Sequence, residues 1–433
     1  MTARYLAAEA LMRTEQGGFS GLVLDSELRR HPLEPRDRAF AAAVFYAALE
    51  HQGTIDYILS RFVKGPLTKL DAPVRAVLRT GLAQLRWLQV PPSAAVNEAV
   101  KLTKAFGKTS AAGMVNAVLR RAAGYDLSSA VFADAQERLM ALGSAGPEVA
   151  AHFLRCYPEE ALAILCAPAV KGTELRVNPL RIAPQALCER LRREGAENVR
   201  PGAWENCLLA DFAASPADTP AFRAGLYHVE GRPSQLAALA VGARPGDTVI
   251  DLCAAPGGKT LTIAEQMQNR GRLFSCDAAP RRVALIEQAL QRTGITCAAA
   301  LCSDASRENS LLPPADRVLA DVPCSGLGVL GKKPDIRYKS LAGLAELTAL
   351  QAQILKNAAK CLKKGGRLVY STCTLNPAEN EEQVRAFLQQ MPEFCVVPFE
   401  FMQPGMRQSD FGVLSLPPET GMDGFFISTM EKR

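Results

Sequence analysis

The spacing of apolar and polar positions divides this chain into contrasting textures. Over the first 125 or so residues, apolar side chains recur at three- and four-residue intervals, the period of a helix with one buried face. In PVRAVLRTGLAQLRWL the stripe is Val74, Val77, Leu78, Leu82, Leu85 and Leu88, with Arg75, Arg79 and Arg86 between them toward the polar side. After the breaker Pro91-Pro92, SAAVNEAVKLTKAFGK repeats the pattern and lines up Lys101, Lys104 and Lys108. AAGMVNAVLRRAAG adds a helix that stops at Arg120, Arg121 and Gly124. The expectation is an all-helical domain over residues 1–126.

Between residues 127 and 222 the pattern mixes. LSSAVFADAQERLMALGSAGPE predicts a connecting helix and linker, TELRVNPLR a strand, APQALCERLRREG a helix and NCLLADF another short strand. This reads as a small α+β module. From residue 223 to 433, strands and helices alternate, the signature of an open, mostly parallel sheet. DTVIDLC, GRLFSCD, ITCAAALCSD, DRVLADVPCSG and GRLVYSTC supply the strands. A long helix, LAELTALQAQILKNAAKCLKKGG, separates the last two. FCVVPFE and GFFISTM are expected as late strands, antiparallel at an edge.

Such sheets bind ligands at the carboxyl ends of their strands, where the winding direction reverses. The first strand ends in DLCAAPGGKT. A Walker loop needs a glycine five places before the GK glycine, but Cys253 stands there, and the G-x-G-x-x-G fingerprint is also missing. What remains is a glycine-containing turn, Cys253, Ala254, Ala255, Pro256, Gly257, Gly258 and Lys259, with Asp251 at its base. Asp277 ends the next strand, where such folds place a carboxylate on ribose hydroxyls, and a third acid, Asp304, ends the third. Each acid alone could equally cap a turn. Together they favour a nucleoside with a neutral or cationic appendage, and S-adenosylmethionine is the natural candidate.

The fourth strand delivers Asp321-Val322-Pro323-Cys324 rather than the Pro-Pro-aromatic run of amine methyltransferases. The fifth delivers Cys373. Two thiols beside a methyl donor have a definite use, because carbon 5 of a pyrimidine attacks a sulfonium methyl only after a thiolate has added to carbon 6. Loss of the carbon-5 proton and expulsion of the thiolate then call for acid–base help, and Asp321 can bond the cytosine edge. The NPAENEEQVRAFL segment predicts a helix whose N-terminus would ease ionisation of Cys373, with Glu379, Glu381 and Glu382 opposing it. Cys276, Cys297, Cys302 and Cys361 lie in or beside apolar runs and are expected in the core.

Charge changes the picture once. Residues 1–130 carry 17 Lys and Arg against 11 Asp and Glu, whereas the remainder of the chain is balanced. That is the footprint of a module that binds a polyanion, or of a solvated basic face. Arg337 and the Lys332-Lys333 pair could likewise meet nucleic-acid phosphates or simply belong to a charged surface loop. Twelve cysteines without a C-x-x-C pair and four histidines argue against a disulfide framework or a metal site. With no secretory signal and no apolar run of membrane-spanning length, a cytoplasmic protein is expected. Nothing in the pattern sets the oligomeric state, for which monomer is the default.

DLCAAPGGKT, DVPCSGLGVLGKKPDIR and YSTCTLNPAENE together resemble the RNA 5-methylcytosine methyltransferases that use two cysteines. RAFAAAVFYAALEH, PVRAVLRTGLAQL, PPSAAVNEAVKLTK and VNAVLRR resemble the NusB-like RNA-binding fold, and the pairing resembles the bacterial ribosomal RNA small subunit methyltransferase B (Sun) family. LRVNPL and YHVEGRPSQLAA look like its middle module and the entry to its catalytic domain. The resemblance implies an all-α NusB-like domain, a small α+β module and a Rossmann-like class I methyltransferase domain. It further implies methylation of carbon 5 of one cytosine of 16S rRNA, in a hairpin loop near the decoding region. By position it makes Cys373 the nucleophile, Cys324 the residue that assists release, and Asp321 an acid near both donor and base. Cys253 through Lys259, with Asp277, Asp304 and Asp321, would then hold S-adenosylmethionine, Lys259 also serving the catalytic centre. Thr374 stands where serine is commoner, and Gly331 where a basic residue often precedes the KP turn. The same chemistry on transfer RNA, a DNA-type cytosine enzyme and a non-catalytic RNA-binding assembly factor are the rivals.

Overall fold

The computed structural model describes residues 2–433, and its internal packing separates two units. The first comprises Met1–Ala167 together with Leu330–Leu341; the second comprises Pro168–Val329 and Ala342–Arg433.

The first unit is helical throughout. Thr2 caps the opening helix, Ala3–Glu15, by accepting the Tyr5 N–H, and prolines occupy the first turns of Pro35–Glu50, Ala72–Arg86 and Pro92–Ala105. Helix Ala72–Arg86 runs through the middle, with Val74, Val77, Leu78 and Leu82 buried against Leu6, Leu11, Phe45, Ile55, Ile58 and Leu119. Gly81 lies under Leu119, whose Cδ1 would come within 2.8 Å of an added Cβ, so a larger residue there would push the Leu119 side chain aside.

Arg79 departs from the expected polar side. It is buried and donates to Asp56 at 2.7 and 2.6 Å, and it also pairs with Glu15. A buried guanidinium holds its place only with such partners. The connecting region supplies three helices to this unit, Ala135–Leu142, Pro147–Cys156 and Ala161–Cys166, where one was expected.

The segment 330–341 also packs in this unit, around a short helical turn at Pro334–Tyr338. Arg337 is buried and donates to the Gly143 and Leu165 carbonyls at 2.8 and 3.0 Å. Tyr338 Oη lies 2.8 Å from Ser144 Oγ and accepts the Gly53 N–H at 3.1 Å. Arg337 is therefore a structural cation, not a phosphate contact, whereas Lys332 and Lys333 stay exposed.

The second unit holds two sheets. The smaller has four antiparallel strands, β1 (Thr173–Val177), β2 (Glu197–Pro201), β3 (Cys207–Asp211) and β4 (Tyr227–Val229), in the order β2-β3-β1-β4. Strands β2 and β4 were not legible as strands, because β2 buries only Val199 and β4 is three residues long.

The larger sheet has nine strands: β5 (Thr248–Asp251), β6 (Arg272–Asp277), β7 (Ala298–Cys302), β8 (Ala315–Asp321), β9 (Leu362–Thr372), β10 (Phe394–Val396), β11 (Met406–Ser409), β12 (Gly412–Ser415) and β13 (Phe425–Lys432). Its order is β11-β12-β13-β9-β8-β5-β6-β7, with β10 beside β13. Strands β5 to β9 are parallel, and the winding reverses between β5 and β8. The late strand β13 is antiparallel but interior, paired with β9 from Phe426↔Thr372 to Glu431↔Arg367. The helix before β9 stops at Cys361. Leu362 already pairs with Ala315, and Lys363 reaches Asp316 at 2.7 Å, so tertiary pairing takes over a stretch that reads as helix.

Candidate functional site

Asp251 and Asp321, at the ends of β5 and β8, flank the reversal point of the large sheet. The glycine turn leaves β5 there. It is held by hydrogen bonds from Ala254 N–H to the Cys276 carbonyl at 2.8 Å and from Gly257 N–H to the Ala254 carbonyl at 2.7 Å. Gly257 has φ +110°, a conformation that favours glycine, and helix Gly258–Gln266 starts directly after it. An added Cβ on Gly258 would lie 3.3 Å from Glu230 Oε1.

Lys259, in the first turn of that helix, pairs with Asp321 at 2.8 Å, and Ser371 of β9 donates to the other Asp321 oxygen at 2.6 Å. Burial alone would lower the Lys259 ammonium, but Asp321, Glu230 and Asp251 together raise it above the usual lysine range. The lysine therefore stays charged at any physiological pH. Asp251 is completely buried; Thr260 donates to its Oδ2 at 2.8 Å, and its Oδ1 has no partner. Burial pushes its carboxyl up to about 7, with the Asp321 charge adding to the rise and the Thr260 bond opposing it.

Asp277, at the end of β6, is buried, accepts the Ala279 N–H at 3.0 Å and lies 3.4 Å from Arg282. Arg282 in turn donates to the Ala255 carbonyl of the glycine turn at 2.8 Å. Asp304 follows β7 and is exposed, accepting the Ser306 N–H at 2.9 Å as a turn cap. The adjacent Ser303 N–H bonds the Asp277 carbonyl at 3.0 Å, which keeps the two strand ends together.

These residues fit S-adenosylmethionine. The orphaned Asp251 oxygen can take a hydrogen bond and the carboxylates at the next two strand ends, Asp277 and Asp304, favour a cation, while the glycine turn admits close approach to backbone. Cys253 within the turn is pushed well above the ordinary thiol range, first by burial and then by Asp251, Asp321 and Asp277, so it stays protonated.

The two strand-exit cysteines meet. Cys324 Sγ lies 3.2 Å from Cys373 Sγ, and both are thiols rather than a disulfide. The contact with Cys373, then burial, then the Glu379 charge push Cys324 well above the ordinary cysteine range. The two loops are stitched where Gly328 N–H bonds the Cys373 carbonyl at 3.1 Å and Gly424 N–H bonds the Gly328 carbonyl at 2.8 Å. A Cβ on Gly328 would lie 2.0 Å from the Gly424 carbonyl, so no other residue fits.

The expected helix after Cys373 begins only at Glu381, after a short turn at Pro377–Glu379. Its cap residue Asn380 accepts the Thr372 hydroxyl at 2.5 Å and donates to the Thr374 carbonyl at 3.0 Å, so the start of this helix is bonded to both chain neighbours of Cys373. Of the four cysteines expected in the core, Cys276 is buried, Cys297 and Cys361 are half-buried, and Cys302 is exposed at the end of β7, where the last strand of the sheet has no neighbour beyond it. Sequence reasoning missed Ser371, which holds Asp321, and Glu230, which lies beside Gly258. The signal for Glu230 was available, as an acid two residues from both His228 and Arg232 in YHVEGR.

Comparison with known proteins agrees with this geometry. The family model for 16S rRNA methyltransferase RsmB/F matches residues 238–431, and the NusB family model matches residues 1–124. The chain is 34% identical to the probable ribosomal RNA small subunit methyltransferase B of Bacillus subtilis, covering 100% of this chain and 99% of that one. It is 32% identical to the ribosomal RNA small subunit methyltransferase B of Xanthomonas campestris pv. campestris, over 92% of this chain and 90% of that one. The crystal structure of PH0851 superposes with a TM-score of 0.83 at 26% identity, covering 100% of this chain and 99% of that one. A NusB-like helical unit ahead of a methyltransferase sheet, matched over its full length by such relatives, places the chain in the ribosomal RNA small subunit methyltransferase B family, an RNA methyltransferase family.

Proposed function

We propose that this protein methylates carbon 5 of a cytosine in 16S rRNA through a covalent adduct between Cys373 and carbon 6 of the base. The observation that carries the reading is the pair of sulfurs 3.2 Å apart at the exits of β8 and β9. S-adenosylmethionine, held by residues 253–259, Asp277 and Asp304, supplies a methyl group on a cationic sulfur. Cys373 adds as thiolate to carbon 6, which turns the ring into an enamine able to attack that methyl at carbon 5. Asp321, fixed by Lys259 and Ser371, bonds the cytosine edge during addition. The carbon-5 proton then leaves, the carbon 6–sulfur bond breaks, and Cys373 departs with the electron pair. The products are 5-methylcytosine, S-adenosylhomocysteine and one proton.

Cys324 assists this release. Its raised pKa suits a protonated partner beside the nucleophile rather than a second nucleophile. The basic helical unit binds the RNA largely through phosphates, with the flipped base supplying site selection.

The test is a denaturing gel of the Cys324→Ala protein with 16S rRNA and S-adenosylmethionine. A covalent protein–RNA band should accumulate and should vanish in the Cys324→Ala, Cys373→Ala protein. No band, from RNA that the parent enzyme methylates, would overturn the division of labour. Methylation of transfer RNA but not 16S rRNA would replace the substrate.

A further inference from the structure

A buried carboxylate behind the two thiols has no part in the chemistry above. Glu379 is completely buried, yet its side chain is among the most heavily bonded in the protein. Its Oε1 accepts the Ser325 N–H at 2.8 Å and Gln351 Nε2 at 2.9 Å. Its Oε2 accepts Ser325 Oγ and, at 3.0 Å, Asn376 Nδ2. Because Ser325 spends its proton on Glu379, Thr374 Oγ1, 2.6 Å away, is the donor to Ser325 Oγ. Gln351 also donates to the Pro323 carbonyl at 2.9 Å.

Ser325 follows Cys324, Thr374 follows Cys373, and Pro323 precedes Cys324. One carboxylate thus grips both cysteine loops and the helix behind them. Four good donors converge on its two oxygens, and a buried charge of this kind is sustained only by such saturation. No lysine or arginine is among those donors, so the arrangement gives directed hydrogen bonds rather than an ion pair.

We propose that Glu379 is a positioning residue, which holds the Cys324 and Cys373 loops at the separation the adduct chemistry needs. The inference rests on the two-thiol reading given under Proposed function. Misplacing a reacting group by about 1 Å costs on the order of 100-fold in rate. Glu379→Gln keeps the size but turns one oxygen into a donor that faces Asn376 Nδ2 and cannot take the Ser325 proton.

The experiment uses the full chain, 16S rRNA and S-adenosylmethionine. Glu379→Gln should lower kcat by roughly 10- to 100-fold while leaving KM for donor and RNA within about twofold. Thr374→Val, which removes the hydroxyl that lies 2.6 Å from Ser325 Oγ and 3.5 Å from Glu379 Oε2, should act in the same direction, and Thr374→Ser should restore the parent rate. An unchanged kcat in both Glu379→Gln and Thr374→Val overturns the proposal. So does a parallel loss of donor affinity and melting temperature, which would make Glu379 a fold residue only.

A second readout needs no RNA. The rate of iodoacetamide alkylation at Cys324, followed by mass spectrometry, should rise in Glu379→Gln, as the thiol loses a neighbouring negative charge and its loop loses the Ser325 bonds. If the parent forms no adduct and methylates nothing, the function proposed above fails, yet alkylation still decides whether Glu379 controls the thiol pair. An unchanged alkylation rate in a folded variant would overturn the role of Glu379 independently.

Discussion

Asp251 offers a quantitative test of the site's electrostatics. Its carboxyl is raised to about 7 by burial, from the ordinary aspartate value of about 3.9 that it regains on unfolding. The folded protein therefore holds this proton more tightly than the unfolded chain. The stabilising contribution is complete below pH 4 and is lost as pH rises to about 7, beyond which it is constant. A difference of about three units amounts to about 4 kcal/mol, of which roughly 2.5 kcal/mol falls between pH 5 and 8.

Asp251→Asn abolishes the titration, while its side-chain carbonyl can still accept the Thr260 hydroxyl. The cost of fitting an amide is the same at every pH and cancels in the comparison. The protein has two tryptophans, Trp87 in the helical unit and Trp204 in the sheet unit, where its indole donates to Gln235 at 3.1 Å. In a Trp87→Phe background, urea unfolding followed by Trp204 fluorescence reports the unit that holds Asp251. Stability of the Asp251→Asn protein relative to its parent should improve by about 2.5 kcal/mol between pH 5 and 8. Glu265, raised to about 6 by burial, titrates in both proteins and drops out of the difference. Parallel pH profiles, within about 0.5 kcal/mol, would refute the claim that Asp251 is held protonated by its surroundings.

Two further predictions concern the helical unit. Arg337→Ala strands the Gly143 and Leu165 carbonyls, so that unit should lose about 3 kcal/mol in urea unfolding followed by Trp87 fluorescence. The salt slope of RNA binding should stay unchanged, whereas a phosphate contact would lower it by about one. His51, stacked on Trp87 at 4.2 Å, is lowered to about 4 by burial and then by Arg337, so its contribution is present above pH 6.5 and lost as pH falls toward 4. His51→Phe should shift the acid-unfolding midpoint of this unit downward; a midpoint equal to the parent's would sink the assignment.

Period and breakers alone determined the helical first part, the alternating strands and helices beyond it, and a cluster of candidate residues at strand exits. These signals are local, since a buried stripe, a glycine turn or an acid at the end of an apolar run is written in neighbouring residues. The meeting of Cys324 with Cys373 was expected only because both follow strands that end on one edge of a parallel sheet.

Other features depended on packing between distant segments. Arg79 looks like a polar-face residue until Asp56 and Glu15 arrive from other helices. Arg337 looks like an RNA contact until carbonyls from residues 143 and 165 close on it. Strand β9 starts where the helical pattern still runs, because Ala315 and Asp316 of β8 supply partners that no local window contains. The sequence determined which groups would be charged, apolar or nucleophilic. Only the tertiary structure decided which of them would be taken out of water and with what partner, because desolvation and pairing are set by neighbours tens to hundreds of residues away along the chain.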